Sequence, residues 1–119
     1  MLRLELPLPP PELNPNRTKG KNLHMLNRIT QKAQSDTIAY VREQMPRGVP
    51  LEQATVTMTF VVPTRGRRDL DNLIAAAKPY KDGLVLAGVI VDDDYGHIKS
   101  VYPDPVYKKG ISMTIIEVE

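Results

Sequence analysis

Residues 51–63 read LEQATVTMTFVVP, and this stretch decides the fold because two kinds of side chain alternate along it. In an extended chain, successive side chains point to opposite faces, so alternation separates two surfaces. One surface is apolar and the other is formed by threonines; the two sets are Ala54, Val56, Met58 and Phe60, and Thr55, Thr57 and Thr59. The stretch therefore predicts a β-strand with one buried face.

A long amphipathic helix is predicted upstream of this strand, over residues 23–44. The residues that recur there at helical spacing are Leu26, Ile29, Ala33, Thr37, Tyr40 and Val41. We expect the helix to stop before Pro46 and Gly48. Further upstream, residues 2–8, LRLELPL, alternate as a strand does and end at a run of three prolines.

Downstream of the strand, a basic turn, PTRGRR, leads to residues 69–85, DLDNLIAAAKPYKDGLV, which have helical spacing that Pro79 is expected to kink or interrupt. VLAGVIVDDD then forms a short apolar approach to an acidic turn. HIKSVYP and GISMTIIEVE predict two last strands, with PDPVYKKG between them as a hairpin connection. The element order predicts an α+β fold: a small mixed sheet of about four strands with two main helices packed on it, in a single domain over residues 1–119.

Composition limits the classes of function. The chain has 119 residues, 41% of them hydrophobic, with one Phe and no Trp, so we expect a mainly aliphatic core. The absence of cysteine excludes disulfides, zinc sites of the cysteine type and thiol catalysis, and is consistent with a reducing cytosol. No stretch resembles a signal peptide or a membrane span, so we expect no membrane partner.

Basic residues cluster in loops, although the net charge of +2 is too small to identify a partner. The clusters are Arg17, Lys19 and Lys21; Arg65, Arg67 and Arg68; and Lys108 and Lys109. Three basic loops suggest binding to a polyanion, whereas any one of them alone is equally consistent with ordinary solvated surface.

Two acidic clusters are the candidates for chemistry. Asp69 and Asp71 stand where a turn gives way to a helix, and in extended backbone their carboxylates would face the same side. The alternative is that they cap the helix and complement its dipole. Asp92–Asp94 are adjacent like charges, which a cation or nearby arginines would compensate, unless they form only a solvated turn. Together the clusters could supply the oxygen ligands of Mg²⁺, with Mn²⁺ as the alternative metal.

Other catalytic motifs are missing. The two histidines, His24 and His97, lie in no G-x-S-x-G context, and the chain has neither a P-loop nor a G-x-G-x-x-G motif. The triple aspartate does not follow the EF-hand pattern. His97, three residues after Asp94, could be a ligand, a proton shuttle or simply a strand residue.

Residues RRDLDN at 67–72, a later lysine, KDGL at 81–84 and AGVIVDDD at 87–94 resemble the signature of the RusA family of Holliday junction resolvases. These are metal-dependent endonucleases that cut four-way DNA junctions. The opening strand, the PPPELNPNR loop and the strand before the arginines add weaker support. A lone DLDN would be a weak signal, but DLDN and DD at this separation and in these elements form a specific combination.

The resemblance implies a mixed-sheet fold, a homodimer and a cytoplasmic protein of bacterial, phage or prophage origin. It implies Asp69, Asp71 and Asp93 as catalytic metal ligands and Lys78 as the active-site lysine, with support from Asp92. Here the chain departs from the family pattern, because IAAA separates DLDN from Lys78. Arg17, Lys19, Lys21, Arg65, Arg67 and Arg68 are the expected DNA-binding residues.

Two other functions remain open at this stage. One is a non-catalytic, structure-selective DNA-binding module of the same fold, whose acidic residues only cap helices. The other is a protein-interaction domain with an incidental metal-binding turn at Asp92–Asp94.

Overall fold

The structure is a computed structural model that describes residues 2–18, 20–45, 50–66 and 69–119. Within these ranges the helices are a short 3₁₀ turn at Pro11–Leu13, α1 Pro15–Thr18, α2 Leu23–Gln44, α3 Leu70–Ala76 and α4 Lys78–Leu86. The strands are β1 Leu2–Leu6, β2 Ala54–Val62, β3 Ile98–Val101, β4 Val106–Tyr107 and β5 Met113–Val118. The α+β fold class is confirmed, with a fifth, two-residue strand added to the predicted sheet.

The sheet is mixed, with strand order β1-β5-β2-β3 and β4 paired to the far end of β2. β5 is antiparallel to both β1 and β2, whereas β3 and β4 run parallel to β2. The pairs Ala54↔Ile98 and Val61↔Val106 show that β3 and β4 follow one edge of β2 from its start to its end. β2, the strand predicted from residues 51–63, therefore pairs with three other strands.

The predicted hairpin between the last two strands is wrong, because β3 and β5 lie on opposite sides of β2. After β4, the N–H of Lys108 donates to the carbonyl of Val62 at 3.0 Å, which carries the chain across the end of β2. Gly110 then turns the chain back with φ of +72°, a conformation that favours glycine. The segment between β3 and β5 therefore pairs with one edge of β2 through β4 and then crosses to the opposite edge, where β5 begins.

The alternating and helical patterns are confirmed in β1, β2 and α2. The apolar face of β2 is buried, and α2 runs over the predicted residues and buries Ala33, Thr37 and Val41. Leu4, Phe60, Leu84 and Ile116 are fully buried, so the core lies between the sheet and the two longer helices. Among the residues with a described structure, no helix is long and apolar enough to cross a membrane.

The helical stretch after β2 is broken into α3 and α4. Pro79 lies in the first turn of α4, where its missing N–H costs no helical hydrogen bond. Ala77, with φ −87° and ψ −1°, separates the two helices. The interruption predicted at Pro79 is confirmed, and it places Asp71 and Lys78 on two separate helices.

α4 packs closely on α2 at Gly83. A Cβ atom at this glycine would lie 2.6 Å from Cβ of Thr37, closer than the two helices allow. The hydroxyl of Thr37 is satisfied within its own helix, donating to the carbonyl of Ala33 at 2.8 Å. Tyr80, at the start of α4, donates to the carbonyl of Pro7 at 2.8 Å. These contacts fix the first turn of α4, and with it Lys78.

Candidate functional site

The first acidic cluster is built into the start of α3. Asp69 is the N-cap residue, and its Oδ1 atom accepts a hydrogen bond from the N–H of Asp71 at 3.0 Å. Asp71 occupies the first turn, where a negative charge complements the helix dipole. Capping, the alternative considered above, is therefore confirmed for Asp69. A carboxylate has two oxygens, and a cap uses one of them.

Asp69 also lies on a cleft of about 680 Å³ between α3 and the amino-terminal loop. Its polar lining includes Asn14, Asn16, Arg17 and Asn72. The cleft brings the PPPELNPNR loop and the DLDN segment together, although more than fifty residues separate them in the sequence. The sequence analysis did not name the three asparagines of this cleft as site residues. Their positions in the quoted motifs were the available signal: PPPELNPNR contains Asn14 and Asn16, and DLDN contains Asn72.

The second part of the site joins α4 to the acidic turn. The Nζ atom of Lys78 lies 2.5 Å from Oδ1 of Asp82, one helical turn along. The same Nζ donates to Oδ2 of Asp93, fifteen residues away in the sequence. The side chain of Lys78 is 57% exposed and that of Asp93 is 26% exposed, so the ion pair lies at the protein surface. The contact with Lys78 adds Asp82 to the candidate residues.

This contact sets the charge states of both partners. The hydrogen bond from Lys78 lowers the pKa of Asp93 below its ordinary value, although burial acts in the opposite direction. For Lys78, burial is the largest single effect and lowers the pKa, but hydrogen bonds from its ammonium to Asp82 and Asp93 raise the pKa overall. At neutral pH the site therefore holds an ammonium between two carboxylates.

Asp94 organises the acidic turn. Its Oδ1 atom accepts hydrogen bonds from the N–H of Gly96 at 3.0 Å, and it lies 2.6 Å from Nδ1 of His97. The hydrogen bond with Asp94 raises the pKa of His97, and the same bond lowers the pKa of Asp94. His97 lies in the turn just before β3, so its interpretation as a strand residue is wrong by one position. Asp92 supports its neighbour, since its Oδ1 accepts from the N–H of Asp93 at 2.7 Å.

The predicted DNA-binding residues fall in different places. Arg17 lies on the cleft beside Asp69, and Lys21 is exposed just before α2. Arg65 lies beyond β2 with its guanidinium carbon 4.7 Å from the centre of the Tyr107 ring. Lys19, Arg67 and Arg68 are outside the described residues.

The three aspartates have the chemistry of a magnesium site, because carboxylate oxygens are the ligands that this ion prefers. Their placement does not assemble one: among the described residues, no three acidic, histidine or cysteine side chains lie together as a group able to hold a metal ion. Asp69 is engaged by its own helix and Asp93 by Lys78. The aspartates therefore offer the kind of oxygen donor that the ion prefers, and two of them already accept hydrogen bonds from the protein.

Neither comparison with known proteins gives a relative. A scan against models of protein families finds no match for the chain, and a search of the curated proteins finds none either.

Proposed function

We propose that this chain is a metal-dependent endodeoxyribonuclease that resolves four-way DNA junctions, as its resemblance to the RusA family implies. One observation carries the proposal: Lys78 binds Asp93. The lysine that the IAAA insertion displaced from DLDN thus still meets a carboxylate of the acidic turn. The lysine and the acidic turn of the resemblance are thus in contact, whereas the DLDN segment starts α3, the preceding helix.

In this proposal the aspartates bind magnesium and Lys78 controls access to Asp93. Bound magnesium would supply charge stabilisation at the phosphodiester and a water of lowered pKa. The ammonium of Lys78 is held between Asp82 and Asp93, and it carries the positive charge that a DNA phosphate would contact. A phosphate that draws this ammonium away would release Asp93 as an oxygen donor.

The cleft beside Asp69 would hold the DNA backbone next to the reacting phosphate. Arg17 offers a guanidinium to phosphate, and the side-chain N–H groups of Asn14, Asn16 and Asn72 offer donors to phosphate and sugar oxygens. Such contacts fix the position of the nucleic acid without reading its sequence. A homodimer would present two equivalent sites, as cutting a junction on two strands requires.

The direct test is a cleavage assay. Purified protein is incubated with an end-labelled synthetic four-way junction and with a matched linear duplex, each with magnesium or with chelator, and the products are separated on a denaturing gel. We expect paired nicks near the crossover with the junction and not with the duplex, when magnesium is present and not when chelator is present. Manganese in place of magnesium is expected to support the same nicks.

Asp71→Asn provides the site-specific variant of this assay. It removes the charge of one proposed ligand, and we expect it to abolish cleavage while junction binding is retained. Glu43→Gln is the control for the same loss of charge, because Glu43 is an exposed acid near the end of α2 and outside both acidic clusters. Full cleavage by Asp71→Asn would overturn the assignment.

A non-catalytic DNA-binding module remains the second candidate, and the capping role of Asp69 is the observation that favours it. This candidate predicts junction binding that is insensitive to magnesium, and no strand scission by any preparation. Equal, weak affinity for junction and duplex would instead favour a protein-interaction domain with an incidental metal-binding turn.

A further inference from the structure

A second cleft lies where β2 and β4 end, and none of its lining residues belongs to either acidic cluster. It has a volume of about 500 Å³ and is lined by Val62, Thr64, Arg65, Gly66, Pro105 and Tyr107. The guanidinium of Arg65 stacks over the Tyr107 ring, with 4.7 Å from its carbon to the ring centre. The Tyr107 residue is still 38% exposed. The cleft therefore presents an aromatic ring and a planar cation at the surface.

The turn that follows Tyr107 adds further positive charge. Lys108 and Lys109 are both exposed, and the turn is held by backbone bonds from Lys108 to Val62 and from Gly110 to Pro63. The short segment from Asp104 to Gly110 contains these two lysines and one acid, so with Arg65 the surface is net positive. These lysines are the basic pair to which the proposed catalytic site assigns no role.

The combination is typical of surfaces that bind unpaired nucleic acid. Proteins that hold single strands pair a positively charged groove with aromatic side chains on which bases stack, and arginine planes serve in the same way. A site for duplex backbone alone would need the charges but not the exposed ring. The stacked Arg65 and Tyr107 thus favour a base as well as a phosphate.

We propose that this cleft binds an unpaired DNA strand, with one base stacked on the Arg65–Tyr107 pair and the adjoining phosphates held by Lys108 and Lys109. The inference rests on the proposed action on branched DNA, and it requires that base pairs at the crossover open when the junction is bound. It places a strand-binding surface at the end of β2, immediately before the segment that leads into α3.

The test measures strand binding and stacking together. An oligothymidylate of about 20 nucleotides carrying one 2-aminopurine is long enough for such a site, and its anisotropy reports affinity while quenching reports stacking. Every protein in this assay carries Asp71→Asn and the buffer contains chelator, so that DNA cleavage cannot interfere with the binding measurement. Tyr107→Ala is expected to weaken binding about 5- to 150-fold and to abolish quenching. Tyr107→Phe, which keeps the ring, is expected to retain both.

Charge is tested by a matched pair of double variants. Lys108→Gln with Lys109→Gln is expected to reduce the slope of log affinity against log salt by about 1.4, since two phosphate contacts are lost. Arg28→Gln with Lys32→Gln removes the same charge from the exposed face of α2 and is expected to leave the slope unchanged.

The outcomes separate this inference from the proposed function. Junction cleavage by the wild-type chain, together with unchanged strand binding in Tyr107→Ala and in the Lys108/Lys109 variant, would overturn the strand site alone. Quenching that depends on Tyr107 in a chain that never cleaves DNA would support the strand site and leave the nuclease proposal refuted. An equal reduction of the salt slope in the Lys108/Lys109 and the Arg28/Lys32 variants would also overturn the site, because binding would then depend only on net charge.

Discussion

The two acidic clusters look alike in the sequence, but their partners in the structure differ. Asp69 is engaged by the backbone of the helix that it starts, two residues away. Asp93 is engaged by Lys78, which belongs to another helix and stands fifteen residues away. The first cluster needs only local structure, whereas the second depends on the packing of α4. Two clusters of similar composition therefore hold their carboxylates differently, one by a local helix cap and the other by a tertiary ion pair.

Asp69→Asn gives the largest expected effect, because it separates capping from chemistry. Asparagine caps helices about as well as aspartate, so the thermal midpoint should stay unchanged while cleavage falls by more than about 100-fold. Asp69→Ala removes the cap too, and is expected to lose about 1 kcal/mol of unfolding free energy in addition. Cleavage assays and urea unfolding measure the two effects. Normal cleavage by Asp69→Asn would leave this residue as a cap only.

Lys78→Met tests the tertiary contact of the second cluster. It keeps the length of the side chain but removes the ammonium that holds Asp93, and partners of metal ligands typically contribute about 10- to 100-fold to activity. We expect a loss of cleavage in that range. Lys81→Met is the control on the same helix, because Lys81 donates to Ser100 at 3.0 Å and not to an aspartate. Equal losses in both variants would mean that α4 contributes general positive charge.

Gly83→Ala tests the close packing of α4 on α2, which holds the helix that carries Lys78. The added methyl group would meet Cβ of Thr37 at 2.6 Å, so the helices must separate. Overpacking costs about 1–3 kcal/mol, partly offset by the better helix propensity of alanine. We expect unfolding free energy to fall by about 1–2 kcal/mol in urea denaturation. Leu86→Ala, at an exposed position of α4, should change it little, and an equal loss there would count against the close contact.

Patterns with a short period could be predicted from the sequence. The alternation in β2 and the helical spacing in α2 report burial of each residue's own side chain, and both elements formed over nearly the predicted residues. Proline likewise acts locally, which is why the interruption at Pro79 was foreseen. The capping role of Asp69 belongs to the same class, since its partner is two residues away.

The remaining features depend on distant partners. The path of the chain after β3 was mispredicted because it depends on which edge of β2 is open to Val106 and Tyr107. The cleft that joins Asn14 and Arg17 to Asp69 needs α1 and α3 to pack together. The resemblance named Lys78 and Asp93 separately, and only the fold showed that they touch.

Titration of the acidic turn is the finest test of the comparison, because its two ion pairs respond to pH in opposite directions. The folded pKa of Asp93 is lowered from 3.8, so its stabilisation is present above that value and is lost as pH falls through the folded pKa. The folded pKa of His97 is raised from 6.5, so its stabilisation is present below that value and is lost as pH rises through the folded pKa. Lys78→Met should raise the pKa of Asp93 and leave His97 unchanged, whereas Asp94→Asn should lower the pKa of His97 alone. Carboxyl and imidazole NMR titrations distinguish these outcomes. A shift in the pKa values of both Asp93 and His97 in either variant would show that the turn titrates as one unit. Lys78 would then hold the whole turn and not Asp93 alone.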